Sequence, residues 1–258
     1  MIGGGGIGVV AIALLVWALG GDPMAVIEQS SSNQLSGGEI TQADEEAAQF
    51  VSVVLADTEE IWADIFREQV GQEYQPTTLV LFKGSTASGC GGASAMTGPF
   101  YCPVDKKVYL DTGFFTTMSR QLGAKGDFAA AYVVAHEVGH HVQDLLGILD
   151  QTTQIRQRVS EAESNAISVR VELQADCLAG IWANRASAKF GSIERGDIAE
   201  AMNAAERIGD DTLQRNAGRT PMPDSFTHGK SEQRQRWFAE GYDRAQIASC
   251  DTFNTNSL

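Results

Sequence analysis

His136-Glu137-Val138-Gly139-His140 sets two imidazoles four residues apart, with a carboxylate directly after the first. On a helix, residues four apart stand one turn apart on one face, so His136 and His140 can address a single metal ion. Zinc suits them: it accepts imidazole nitrogens, and a catalytic zinc site keeps one position open for water. Glu137 falls on the adjacent edge of that face, where it can take a proton from such a water. The flanking sequence predicts a helix. Asp127 is placed as its N-cap and Gly147 as its end, and Phe128, Ala131, Val134, Ala135, Val138 and Val142 form an apolar stripe. A helix this apolar is mostly buried, where histidines and a glutamate without partners are costly. The plainer alternative is a pair of core histidines bonded to backbone carbonyls.

A third ligand has to come from elsewhere. Glu172 and Asp176 are again four apart, in the helical run ISVRVELQADCLAGIWA, which holds few other charges. One carboxylate of such a pair can bind zinc while the other accepts the free ring N–H of a ligand histidine and fixes its tautomer. The alternative, a solvated acidic face, fits so apolar a run poorly.

The segments HEVGHHVQ, VELQADCLAGIWA and SFTHGKSEQRQRWF resemble those of the bacterial neutral zinc metallopeptidases anchored by one N-terminal span, from about Phe50 to the C-terminus. HExxH followed by ExxxD is also the ligand order of the wider gluzincin group. The resemblance implies His136, His140 and Glu172 as ligands of one catalytic Zn2+, Glu137 as general base, and Asp176 behind His136. It also implies that His228, in the turn FTHGK, hydrogen-bonds the tetrahedral intermediate, with Arg234 orienting it or the substrate; a second donor beside the metal would stabilise the developing oxyanion. A surface turn histidine is the alternative. Tyr101, Tyr109 and Tyr132 are other possible donors. His141 is rotated off the ligand face and reads as a packing residue or an outer partner of the ligands. Ala93 to Met96 is, by resemblance, the edge strand that takes the substrate backbone by strand addition; a surface loop is the other reading.

The chain has 258 residues, 43% of them hydrophobic, and a net charge of −14. That is ample for a core and argues against nucleic acid or an anionic membrane surface as a partner bound through a basic patch. Residues 1–21 carry no charged side chain and as a helix would reach roughly 32 Å, about one hydrocarbon core. They read as a transmembrane anchor, with a signal cleaved after Gly20 as runner-up and a buried helix third. The charged tail expected before such a span is missing. Residues 22–40 read as a polar linker and 41–258 as the metallopeptidase domain. The four cysteines form no C-x-x-C pair. Outside the cytoplasm, Cys90–Cys102 and Cys177–Cys250 are the expected disulfides; in a reducing compartment all four are buried thiols.

Within the domain, Thr41 opens a helix that Gly71 ends. Thr77 to Phe82 is a strand, Gly84 to Gly98 a glycine- and serine-rich loop, and Phe100 to Cys102 with Lys107 to Asp111 a hairpin. Helical runs are expected over about 152–186 and 196–208, then a loop over 209–229 and a last helix capped by Ser231. The expected fold is α+β and mostly helical: a zincin-like domain with a small sheet beside the HExxH helix, preceded by one membrane span. The expected function is a zinc endopeptidase of peptide or protein substrates, single-pass in a bacterial inner membrane with its domain extracytoplasmic. The rival is an inactive membrane-anchored binding protein that keeps the zinc fold. Oligomeric state is left open.

Overall fold

Thr41 and Asp44 close a reciprocal cap at the start of α1 (Gln42–Ile65): the Thr41 N–H donates to the Asp44 carboxylate at 2.7 Å, and the Asp44 N–H to the Thr41 hydroxyl at 3.3 Å. This computed structural model describes residues 40–94, 97–120, 126–191, 193–255, 257 and 258. The expected anchor and almost all of the linker lie outside them. Among the described residues no helix is long and apolar enough to cross a membrane. α1 buries Val51, Val54, Ile61, Trp62 and Ile65. It runs on through a wider turn, Phe66–Val70, to Gly71 at φ 74°, where a left-handed residue stops it.

Three strands form a sheet in the order β1 (Thr78–Phe82), β5 (Lys107–Asp111), β4 (Phe100–Cys102). β4 and β5 make the expected hairpin, and β1 lies parallel to β5, with Val80 opposite Tyr109. The glycine-rich stretch read as a loop pairs with itself: β2 (Ser85–Ser88) and β3 (Gly91–Ser94) form a separate antiparallel ribbon. The Cys90–Cys102 disulfide ties that ribbon to the sheet. The stretch Ala93 to Met96, expected as a substrate-binding edge strand, begins in β3, a strand of that two-stranded ribbon. Ala93 and Ser94 already pair with Thr86 and Ser85, and residues 95 and 96 lie outside the described ones. The sheet edge beside the site is β4.

After α2 (Gly113–Arg120) comes α3 (Asp127–Leu145), the HExxH helix. Its N-cap is Gly126, at φ 103°, and not Asp127, which is already the first helical residue. The expected stripe is buried, and so are Ala129, Tyr132 and Val133 on the other faces, because α1, the sheet and α5 (Glu161–Phe190) surround the helix. The expected single run over 152–186 is two helices. α4 (Ile148–Arg156) ends in a turn, and Ser160 with Glu163 forms a second reciprocal cap that restarts the chain as α5. α6 (Arg195–Arg207) follows as expected. The loop over 209–229 contains a short helix, α7 (Asp210–Asn216), and a single turn at Pro223–Ser225.

In α8 (Ser231–Arg244), Ser231 is the first helical residue rather than the cap, because its hydroxyl is drawn off to the Glu206 carbonyl at 2.7 Å. α5 and α8 touch backbone to backbone. A Cβ on Gly241 would stand 1.8 Å from the Cys177 carbonyl oxygen, and one on Gly180 2.1 Å from that of Phe238. Leu173, Leu178 and Ile181 of α5 are fully buried, each contributing roughly 1.5–3 kcal/mol of burial. The described chain is mostly helical with a small sheet, as expected; its core lies between α1, α3, α5 and α8.

Candidate metal centre

The spacing of four on α3 puts the rings of His136 and His140 4.8 Å apart and nearly perpendicular. Gly139 between them lets α3 lie against α5, since a Cβ there would come within 3.0 Å of the Ala175 carbonyl. That approach brings Glu172 under both imidazoles. His136 Nε2 is 3.1 Å from Glu172 Oε2, and His140 Nε2 is 3.5 Å from Glu172 Oε1. One donor atom from each residue lies within 4.8 Å of the other two.

The opposite nitrogens decide what the three can hold. His136 Nδ1 is 2.8 Å from Asp176 Oδ1, and His140 Nδ1 is 2.8 Å from Gln143 Oε1. With Nδ1 carrying the hydrogen toward an oxygen, each Nε2 presents a lone pair, and both lone pairs face a carboxylate. Without a positive charge between them this arrangement is repulsive. With one it is the His2Glu donor set of a catalytic zinc. Where no metal sits there, protons take the role. Burial opposes a charge on His136, but Asp176 and Glu172 prevail and raise it to about 10. Burial likewise opposes a charge on His140, and Glu172 raises it nonetheless. Glu172 is held ionised well below its ordinary range by the two histidines despite its own burial. Metal and proton thus compete for the same atoms.

Asp176 is fully buried and held at about 2: burial works against its charge, and Arg234 and His136 outweigh it. Arg234 donates to both its oxygens, from Nε at 2.8 Å and Nη2 at 2.9 Å. Arg234, expected to orient His228 or the substrate, is 2% exposed and has Asp176 as its main partner, with the Tyr132 hydroxyl 3.3 Å from Nη2. The Tyr132 hydroxyl also donates to Asp176. Tyr101 donates to Asp144 at 2.9 Å, beside a buried His141, and Tyr109 to Asp105 at 2.6 Å. All three tyrosine protons are committed to carboxylates, so none is a free donor for an oxyanion. His141 is packing, as expected, 2.6 Å from the Gln75 carbonyl through Nε2.

The metal side opens into a cleft of about 560 Å³ lined by His136, Glu137, His140, Glu172, Phe100 and Tyr101 of β4, and His228. Glu137 is 7% exposed, and its carboxylate makes no hydrogen bond or ion pair among the described residues. His228 sits half-exposed on the far wall, its Nδ1 3.2 Å from Asp210 Oδ1. The hydrogen bond to Asp210 raises His228 above the ordinary imidazole range, against partial burial. Asp210 is itself fixed by backbone N–H groups of Thr227, His228 and Gly229 at 2.8, 2.6 and 2.9 Å. The sequence reading missed Asp210, Gln143 and Gln174. For Asp210 the acidic pair Asp210-Asp211, typical of a helix start, was the available signal. Cys177 is bonded to Cys250.

A family model described as "Putative neutral zinc metallopeptidase" matches residues 1–253. "Uncharacterized protein YpfJ" of Escherichia coli (strain K12) is 47% identical over 252 residues, covering 97% of this chain and 87% of that one. "Uncharacterized protein Rv2575" of Mycobacterium tuberculosis is 43% identical over 195 residues, covering 72% of this chain and 65% of its own. No solved structure matches. With the match running through both ligand helices and nearly the whole chain, this protein belongs to the neutral zinc metallopeptidase family.

Proposed function

We propose that this protein is a zinc-dependent endopeptidase with a zincin-like catalytic domain over residues 41–258. The observation that carries the reading is an unpartnered Glu137 carboxylate in the same open cleft as the His136–His140–Glu172 donor set. Metal binding alone needs no carboxylate there. Zinc held by those three residues would supply a Lewis acid that polarises a carbonyl and acidifies a water. Glu137 takes the proton of the attacking water and returns it to the leaving amine. His228, whose affinity for a proton Asp210 raises, donates to the developing oxyanion. Asp176 and Arg234 hold His136 in place. The outer edge of β4 receives the substrate backbone. The attack is direct, by the water whose proton Glu137 takes.

The proposal extends to location: residues 1–21 as a single anchor in a bacterial inner membrane, with the domain outside the cytoplasm. Its support is the two disulfides, which suit an oxidising compartment. Thiol alkylation of the native protein in cells tests this; four alkylated cysteines would sink it.

For the chemistry, Glu137→Gln keeps shape and removes the base. It should retain zinc, while hydrolysis of casein falls at least about a hundredfold, the low end of a general-base contribution. A zinc-loaded E137Q that cleaves as fast as wild type removes Glu137 from the mechanism. A zinc-loaded wild type that cleaves no member of a broad peptide library favours the binding-protein reading instead.

A further inference from the structure

The two ligand histidines are oriented by different chemistry. His136 Nδ1 faces a carboxylate, which can only accept. His140 Nδ1 faces the amide of Gln143, which can present either an oxygen or an NH2. An amide alone does not fix a tautomer; something must fix the amide.

Gln143 is fully buried, and its Nε2 is 2.8 Å from the Val171 carbonyl and 2.9 Å from Gln174 Oε1. Gln174 Nε2 is in turn 2.9 Å from the Cys250 carbonyl. A backbone carbonyl accepts and never donates. Two such carbonyls set the direction: Val171 takes a hydrogen from Gln143 directly, and Cys250 takes one from Gln174. The Cys250 oxygen requires the NH2 of Gln174, which turns Gln174 Oε1 toward Gln143. Gln174 Oε1 and the Val171 carbonyl then take both hydrogens of the Gln143 amide. Only Gln143 Oε1 is left for His140, so Nδ1 carries the hydrogen and Nε2 the lone pair that faces Glu172. The Cys250 carbonyl is itself tied to the ligand helix by the Cys177–Cys250 bond.

We propose that Gln143 and Gln174 are positioning residues of the metal centre: a one-way amide relay anchored on the Val171 and Cys250 carbonyls holds His140 in its metal-ligating tautomer. The inference rests on the metal site of the proposed function but not on peptidase activity, and its test reads zinc binding alone.

Zinc affinity is measured by competition with a chromophoric chelator, and stability by melting the metal-free protein. Gln143→Met removes the acceptor for His140 and should weaken zinc binding about 10–100-fold, the usual cost of losing an outer partner of a ligand. Gln143→Glu keeps an acceptor for the Nδ1 hydrogen but sets a carboxylate against two other oxygens. It should bind zinc within about threefold of wild type, well inside that cost, while its metal-free form melts at least as low as that of Q143M. Gln174→Met leaves the Gln143 amide held by the Val171 carbonyl alone and should fall between wild type and Q143M in affinity. A purely structural role predicts instead that affinity follows stability, with Q143E losing as much zinc as Q143M; that result overturns the relay. So does a Q143M protein that binds zinc as wild type does. A wild-type chain that takes up no zinc overturns the site itself, whereas loss of casein hydrolysis with these affinities intact bears only on the peptidase reading.

Discussion

Arg234→Met isolates the ion pair behind His136. Arg234 and Asp176 are 2% and 0% exposed, joined by two hydrogen bonds of 2.8 and 2.9 Å. The pairing holds the Asp176 carboxyl at about 2 against an ordinary 3.8, with burial opposing and Arg234 and His136 prevailing. A depressed carboxylate stabilises the fold above its unfolded value and loses that contribution as pH falls through the folded one. Here the window runs from about pH 4 down to about 2, and the shift amounts to roughly 2 kcal/mol. Removing the arginine costs more, about 3–5 kcal/mol, because a carboxylate is left buried with its main cation gone. The larger figure applies to the substitution, since the smaller counts only the proton. At about 2–4 °C per kcal/mol for a domain of this size, zinc-saturated R234M should melt roughly 6–20 °C below wild type at pH 7. The gap should narrow in chelator, where His136, raised to about 10, carries a proton and stands in as a second cation against Asp176. Adding Asp176→Asn should restore part of the loss, because no stranded charge remains. The assay is thermal melting by circular dichroism for the three proteins, with and without zinc. An R234M protein that melts within about 2 °C of wild type in zinc refutes the reasoning, since a stranded buried carboxylate would cost several times that.

Two further outcomes follow from the same geometry. Asp210 raises His228, so a protonated His228 persists to higher pH than a free imidazole would; Asp210→Asn should move the alkaline limb of kcat to lower pH, and a limb that stays in place in that variant belongs to another group. Gly241→Ala should lower the melting temperature even though alanine is the better helix former by about 1 kcal/mol, because its Cβ would stand 1.8 Å from the Cys177 carbonyl and overpacking costs about 1–3 kcal/mol or more; a rise in melting temperature would mean that α5 and α8 do not touch there.

What the sequence disclosed was local. The four-residue spacings of His136 with His140 and Glu172 with Asp176 survive folding because a helix preserves them, and the structure sets the two pairs face to face. Thr41, Gly71 and Gly147 act where their local chemistry predicts, at helix ends. Ser160 with Glu163 carried the same kind of signal and was passed over, so two helices were read as one. The misplacements are tertiary. Arg234 lies 58 residues from Asp176, and nothing near it in sequence distinguishes a guanidinium bound for a buried carboxylate from one facing substrate. β1 pairs in parallel with β5 across the intervening ribbon, which glycine-rich strands disguised as a loop. Gln143 and Gln174 were invisible for a different reason. An amide has no preferred role by type, and each acquires one from a backbone carbonyl distant in sequence, Val171 for Gln143 and Cys250 for Gln174.

The two outer partners of the ligands fit a common electrostatic requirement. With a divalent ion bound, two neutral imidazoles and Glu172 leave one positive charge, and Glu137 offsets it; Asp176 and Arg234 cancel each other. A second carboxylate in place of Gln143, at a position with no exposure, would break that balance, since an unpaired buried charge is costly. The amide orients His140 without adding charge. Each solution then needs one support. A buried carboxylate needs a cation, which Arg234 of α8 supplies. An amide needs an end that only accepts, which the Val171 carbonyl supplies to Gln143 and the Cys250 carbonyl to Gln174. Arg234 and Cys250 come from the last 30 residues of the chain, whereas the candidate ligands lie on α3 and α5. The candidate ligating atoms are therefore encoded by two helical motifs, and part of the bonding that sets their protonation comes from the C-terminal helix and the segment after it.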